Sequence, residues 1–161
     1  MKRFFPFALA AAALLSACQQ QDPAPADPSP EAKPGLALSA GRLVLPAVRG
    51  NPGAAYFTLT NGGAAPATLA AVWIDGADKA EMHETAGGSM APLAALEVKP
   101  GETVAFEPGA KHVMAFGLKP GLEPGGEAEM TVTFADGDKL SAPLKLEAAG
   151  GGDGSMKGMD H

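Results

Sequence analysis

The sequence is almost without cysteine: its 161 residues contain one, Cys18. Beyond that position no thiol is left to build a disulfide framework, a cysteine-type zinc site or a cysteine nucleophile. A blue-copper electron-transfer centre is excluded on the same ground, because it needs a thiolate. Positive charge is also scarce, with 12 Lys and Arg against 18 Asp and Glu, for a net charge of −6. That balance argues against nucleic-acid binding. Long apolar runs are missing except over residues 4–17, interrupted only by Pro6 and Ser16. At about 1.5 Å per residue this run is too short to cross a ~30 Å hydrocarbon core as a helix. Helical periodicity is absent as well: the Ala-rich stretch 64–72 is the only rival to strands, and Pro66 interrupts it. No activated serine or cysteine is present and the acids are scattered, so the chain is not expected to be an enzyme.

The first residues, Met1-Lys2-Arg3, followed by the short apolar run, describe a secretory signal. It ends in Leu15-Ser16-Ala17-Cys18, which resembles the lipobox of bacterial lipoproteins. The resemblance implies a signal peptide over residues 1–17 and lipidation of Cys18. The mature chain would be membrane-bound through this anchor alone. Gln19 in place of aspartate implies a periplasm-facing position on the outer rather than the inner membrane. Loss of residues 1–17 removes Lys2 and Arg3 and leaves ten basic against eighteen acidic residues, a net charge of −8.

Residues 18–36 are rich in Pro, Ala and Asp and are expected to form an extended tether with polyproline character. A flexible tail is expected over residues 149–161. Residues 37–148 between them suffice for one domain with one core. Short segments of β-branched, aromatic and aliphatic residues alternate there with Gly, Pro, Asn and Asp breaks. Strands are predicted over 42–46, 54–61, 68–74, 79–85, 93–98, 102–107, 112–118, 127–135 and 139–147. Met130-Thr131-Val132-Thr133-Phe134 alternates apolar and polar as a half-buried strand does. Many short strands with regular turns, at Asn61-Gly62-Gly63 and Pro100-Gly101 for example, predict an all-β sandwich or barrel.

Beyond the signal segment the chain has three histidines and six methionines, and two of the former and three of the latter fall between Met82 and Met114. In a strand, residues i and i+2 share a face. His112 and Met114 can therefore reach one ion while Val113 points into the core. His83 ends a strand-like segment, and the glycine-rich turn after it could fold Met90 back beside it. Met82 and Met130 read as core. Two imidazoles and two thioethers carry no anionic ligand and favour copper(I) over zinc, iron or magnesium. Such a set holds copper(I) without a thiol, which suits an oxidising compartment.

The same segment resembles the PCu(A)C family of periplasmic copper chaperones, whose motif is a His, a spacer, a Met, twenty-one residues and then His-x-Met. Here Ala91 to Lys111 give the twenty-one residues between Met90 and His112. Glu81-Met82-His83-Glu84, Leu96-Glu97-Val98 with Pro100-Gly101, and His112-Val113-Met114-Ala115-Phe116-Gly117-Leu118 resemble the flanking text. The family usually has ten residues in the spacer, whereas this chain has six, Glu84 to Ser89. A deletion of even length keeps strand parity.

The resemblance implies a cupredoxin-like fold and a copper(I) site formed by His83, Met90, His112 and Met114. It also implies delivery of copper to a cuproenzyme, cytochrome c oxidase above all, often with a thioredoxin-like copper protein as partner. Met156, Met159 and His161 in the tail form a second candidate metal group, for copper(I) or copper(II). Two other functions fit the sequence: a copper storage or resistance protein, and a structural β-sandwich lipoprotein without metal.

Overall fold

In a computed structural model the described residues are 34–150. Ten strands follow in order: β1 (Leu36–Leu45), β2 (Gly53–Asn61), β3 (Ala67–Ile74), β4 (Lys79–Ala86) and β5 (Ser89–Pro92), then β6 (Leu96–Val98), β7 (Thr103–Phe106), β8 (Lys111–Phe116), β9 (Glu127–Phe134) and β10 (Lys139–Ala148). No helix occurs among the described residues. The signal segment, Cys18, most of the tether, and Met156, Met159 and His161 lie outside them.

The strands form one sheet in the order β5-β4-β8-β2-β1-β10-β9-β3-β6, with β7 continuing along β2 beyond β8. Only β1 and β10 run parallel; every other neighbouring pair is antiparallel. The sheet curls so that β3 packs against β4, although the two are far apart in the strand order. The architecture is thus the expected all-β, cupredoxin-like one, a curled half-barrel.

Alternation drives the curl. In β2 every second residue is buried, from Gly53 through Ala55, Phe57 and Leu59 to Asn61. In β9 the buried set is Ala128, Met130, Val132 and Phe134. These faces meet Leu43, Leu69, Ile74, Val98, Val113 and Leu144, all fully buried. Each such side chain contributes about 1.5–3 kcal/mol by leaving water. Phe57 and Phe106 stack with centroids 4.3 Å apart. Met82 and Met130 are core residues, as read from the sequence.

Three elements differ from expectation. β1 begins at Leu36, which is buried and pairs with Asn61, six residues before the strand expected over 42–46. The strand expected over 93–98 covers only Leu96–Val98, because Leu93 bends inward to donate its N–H to the Met82 carbonyl at 2.8 Å. β5 was not anticipated: all four of its residues are exposed, so no burial pattern marks it.

Candidate metal centre

β4 and β8 are antiparallel neighbours, and their register sets His83 directly opposite His112. On the same face, one pair further along, Glu81 lies opposite Met114. The intervening pair, Met82 and Val113, points into the core. The i, i+2 rule thus places His112 and Met114 together on one side of the sheet, with His83 beside them. The two imidazole rings are 5.9 Å apart, centroid to centroid, at 22°.

The hairpin from β4 to β5 supplies the fourth residue. Its two turn residues, Gly87 and Gly88, have φ of 58° and 81°. Positive φ at both positions is the type I′ turn that matches strand twist, and glycine adopts it without strain. This turn pairs Met90 with Thr85, two residues from His83 on the same face. The Met90 sulfur then lies 3.3 Å from His112 Nε2. The shortened spacer therefore does not remove Met90 from the histidines.

The hydrogen bonds define what His112 presents. Its Nδ1 lies 3.0 Å from the Ala110 carbonyl oxygen, which can only accept, so Nδ1 carries the proton. In the neutral ring Nε2 is then a bare lone pair, and it faces the lone pairs of a thioether. A lone pair facing a thioether suits a soft cation between the two. For scale, zinc stands about 2.0 Å from an imidazole nitrogen and 2.3 Å from a thiolate sulfur, which at a tetrahedral angle sets the two atoms about 3.5 Å apart. The observed 3.3 Å is close to that value. The Ala110 carbonyl also accepts the Thr85 N–H, at 3.1 Å. Backbone support of this kind is also the usual outer shell of a metal-binding imidazole.

His83 is the second indication. Its side chain is 11% exposed. Both ring nitrogens are buried without a hydrogen-bond partner. Such a group ordinarily costs about 1–3 kcal/mol, and native structures rarely leave one unexplained. The nearest charged group is Glu81, whose Oε2 stands 3.6 Å from His83 Nε2. The sequence signal that links Glu81 to this face is its i−2 spacing from His83. Lys79, 2.7 Å from Glu81, holds that carboxyl below the usual carboxylate range, with His83 adding a smaller pull. Glu84, on the other face, pairs with Lys111 at 2.7 Å.

Among the described residues no three His, Cys, Asp or Glu side chains group closely enough to hold a metal. Met90 is 55% exposed, whereas His112 is 8% exposed. The geometry is that of two sheltered imidazoles under an open sulfur lid.

Comparison with known proteins places this arrangement. The LpqE-like lipoprotein family model matches residues 29–146, most of the chain. The chain belongs to the LpqE-like family. The protein Lxx21020 of Leifsonia xyli subsp. xyli, described as a lipoprotein, is 26% identical over 110 residues, covering 65% of this chain and 66% of its own length. The matched part therefore spans slightly under two thirds of that relative.

Two solved structures connect this LpqE-like chain to PCuAC domains. A copper-bound PCuAC domain from PmoF2 superposes with a TM-score of 0.61 at 20% identity, covering 71% of this chain and 93% of that one. At that identity the likeness concerns the fold. The copper(I) form of DR1885 from Deinococcus radiodurans gives a TM-score of 0.55 at 25% identity, covering 73% and 81%. The expected resemblance to the PCu(A)C family is thus shown. This LpqE-like protein has the fold of PCuAC copper-binding domains.

Proposed function

We propose that this chain is a copper(I) carrier of the cell envelope, with His83, Met90, His112 and Met114 as its ligands. The observation that carries the reading is the 3.3 Å approach of the His112 Nε2 lone pair to the Met90 sulfur. The unpartnered imidazole of His83 across the β4–β8 pair adds to it. Four neutral donors, two of them soft, favour the monovalent ion. Copper here is cargo. It leaves by exchange, one thioether at a time, and departure of a neutral ligand separates no charge. Met90, as the exposed ligand, leaves first.

The remaining parts follow the same logic. Cys18 bears the lipid, and the residues between it and β1 hold the domain off a membrane on the periplasmic side. The recipient is a cuproenzyme, cytochrome c oxidase in the first instance, reached directly or through a thioredoxin-like copper protein. The tail residues Met156, Met159 and His161 assist capture. Ala148 pairs with Leu45 on β1, only β2 separates β1 from β8, and the route to Met114 is therefore about three strand spacings, roughly 15 Å. Met156, eight residues beyond Ala148, can span up to about 26 Å when extended.

The test is an anaerobic copper(I) titration against a chromogenic chelator, comparing the chain with His112→Ala. One tight copper(I), strongly weakened by the substitution, is the expected result. A chain that takes up no copper(I) would overturn the reading and leave a structural lipoprotein without metal.

A further inference from the structure

Along β4 three side chains share one face, as strand alternation requires: Lys79, Glu81 and His83. Across the seam they stand opposite Phe116, Met114 and His112 of β8. The Lys79 ammonium lies over the Phe116 ring, 5.9 Å from its centroid, within cation–π range. It also holds Glu81 Oε1 at 2.7 Å. With that oxygen fixed, the other, Oε2, stands 3.6 Å from His83 Nε2. One carboxylate thus faces a cation on one side and an imidazole on the other. Met114, opposite Glu81, has no proton to offer it.

The two imidazoles are supported differently. His112 gives its Nδ1 proton to the Ala110 carbonyl, which leaves Nε2 bare. His83 has no such backbone acceptor. Neither of its nitrogens has a hydrogen-bond partner among the described residues, and both are shielded from solvent. A neutral imidazole still carries one N–H. On Nδ1, that proton would be buried with nothing to accept it, and the Nε2 lone pair would confront a carboxylate. On Nε2 it faces Glu81 Oε2. The Glu81 side chain is 39% exposed, and a shift of about half an ångström brings it into hydrogen-bond range. Only the Nε2–H form gives the proton an acceptor.

We propose that Glu81 is a positioning residue for copper(I): it accepts the Nε2 proton of His83, so that His83 offers Nδ1 to the ion while His112 offers Nε2. This rests on the copper(I) reading given above and adds a fifth residue to its four ligands. Glu81 is not itself a ligand, because a hard carboxylate suits copper(I) poorly. It does what a carboxylate does beside a metal-bound histidine: it fixes the tautomer, stops the ring turning and makes the ligating nitrogen more basic. Lys79, seated on Phe116, keeps the carboxylate aimed.

The test uses the nitrogen-15-labelled full chain at about pH 8.5, where a free imidazole is neutral. Long-range proton–nitrogen NMR reads the tautomer of each ring. In the metal-free chain His83 is expected in the Nε2–H form and His112 in the Nδ1–H form. Glu81→Gln keeps the size of the side chain, but Lys79 attracts the amide oxygen and the amide N–H then faces His83. The tautomer preference of His83 should be lost in this variant and that of His112 unchanged. Copper(I), added anaerobically to the parent chain, should shift Nδ1 of His83 and Nε2 of His112. Glu81→Gln should bind it about 10–100-fold more weakly. An Nδ1–H form of His83 in the parent chain overturns the proposal, as do an unchanged tautomer or an unchanged affinity in Glu81→Gln, or a copper(I) shift at His83 Nε2. If the metal-free tautomers are as expected and no copper(I) is taken up, the copper reading falls and the setting of the His83 ring by Glu81 stands.

Discussion

Replacing Met90 by alanine separates a ligand from a structural residue, because the structure assigns it almost no structural work. Met90 is 55% exposed, so less than half of its surface is buried. Full burial of a methionine contributes about 1.5–3 kcal/mol, so the truncation should cost the metal-free fold about 1 kcal/mol or less. For a domain of this size that is a few degrees in Tm. The effect on copper(I) should be much larger. Loss of an outer-shell partner alone costs about 10–100-fold in metal affinity, and loss of a direct ligand should cost at least that, about 1.4–2.7 kcal/mol. Met82→Ala is the mirror experiment. Met82 precedes His83, faces the core and is 6% exposed, so its truncation should cost about 2–5 kcal/mol of stability with little effect on affinity while the chain stays folded. Chelator competition and thermal unfolding of both variants give the comparison. Unchanged copper(I) affinity in Met90→Ala would refute the reasoning and remove the hairpin from the site.

Two more outcomes follow from groups described above. His83→Leu should abolish tight copper(I) binding and yet raise the thermal stability of the metal-free chain, by about 1 kcal/mol, since it removes two buried nitrogens without partners; differential scanning of both apo forms checks the sign. Asn61→Leu should destabilise by about 2–4 kcal/mol, measured by urea unfolding, because the buried Asn61 side chain bonds the Ala65 and Val98 carbonyls and the Gly63 N–H.

The sequence made the candidate site legible where chemistry and local periodicity coincide. His112 and Met114 share a face because a strand has a period of two, and that is visible in three letters. The opposition of His83 and His112 is a different kind of fact. It depends on the register between β4 and β8, with twenty-eight residues of chain between the two histidines. Only the family resemblance pointed to it. β5 escaped because Ser-Met-Ala-Pro has neither β-branched residues nor a buried face; its strand character comes from the glycine turn and the β4 backbone. Asn61 reads as turn chemistry beside two glycines, and it does bond Gly63 and Ala65 within that turn, but its buried side chain also donates to the Val98 carbonyl, far along the chain. The parallel pairing of β1 with β10 joins opposite ends of the domain and leaves no local mark.

The carbonyl of Ala110 accepts from the Thr85 amide and from the His112 ring at once. One oxygen thereby ties the seam between two strands to the aim of a side chain. Parting of the seam at that point frees the ring to swing, and a swung ring no longer faces Met90. Fraying of the hairpin and disassembly of the ligand set are then a single motion. In the proposed copper(I) site, latch and hinge are thereby the same atom.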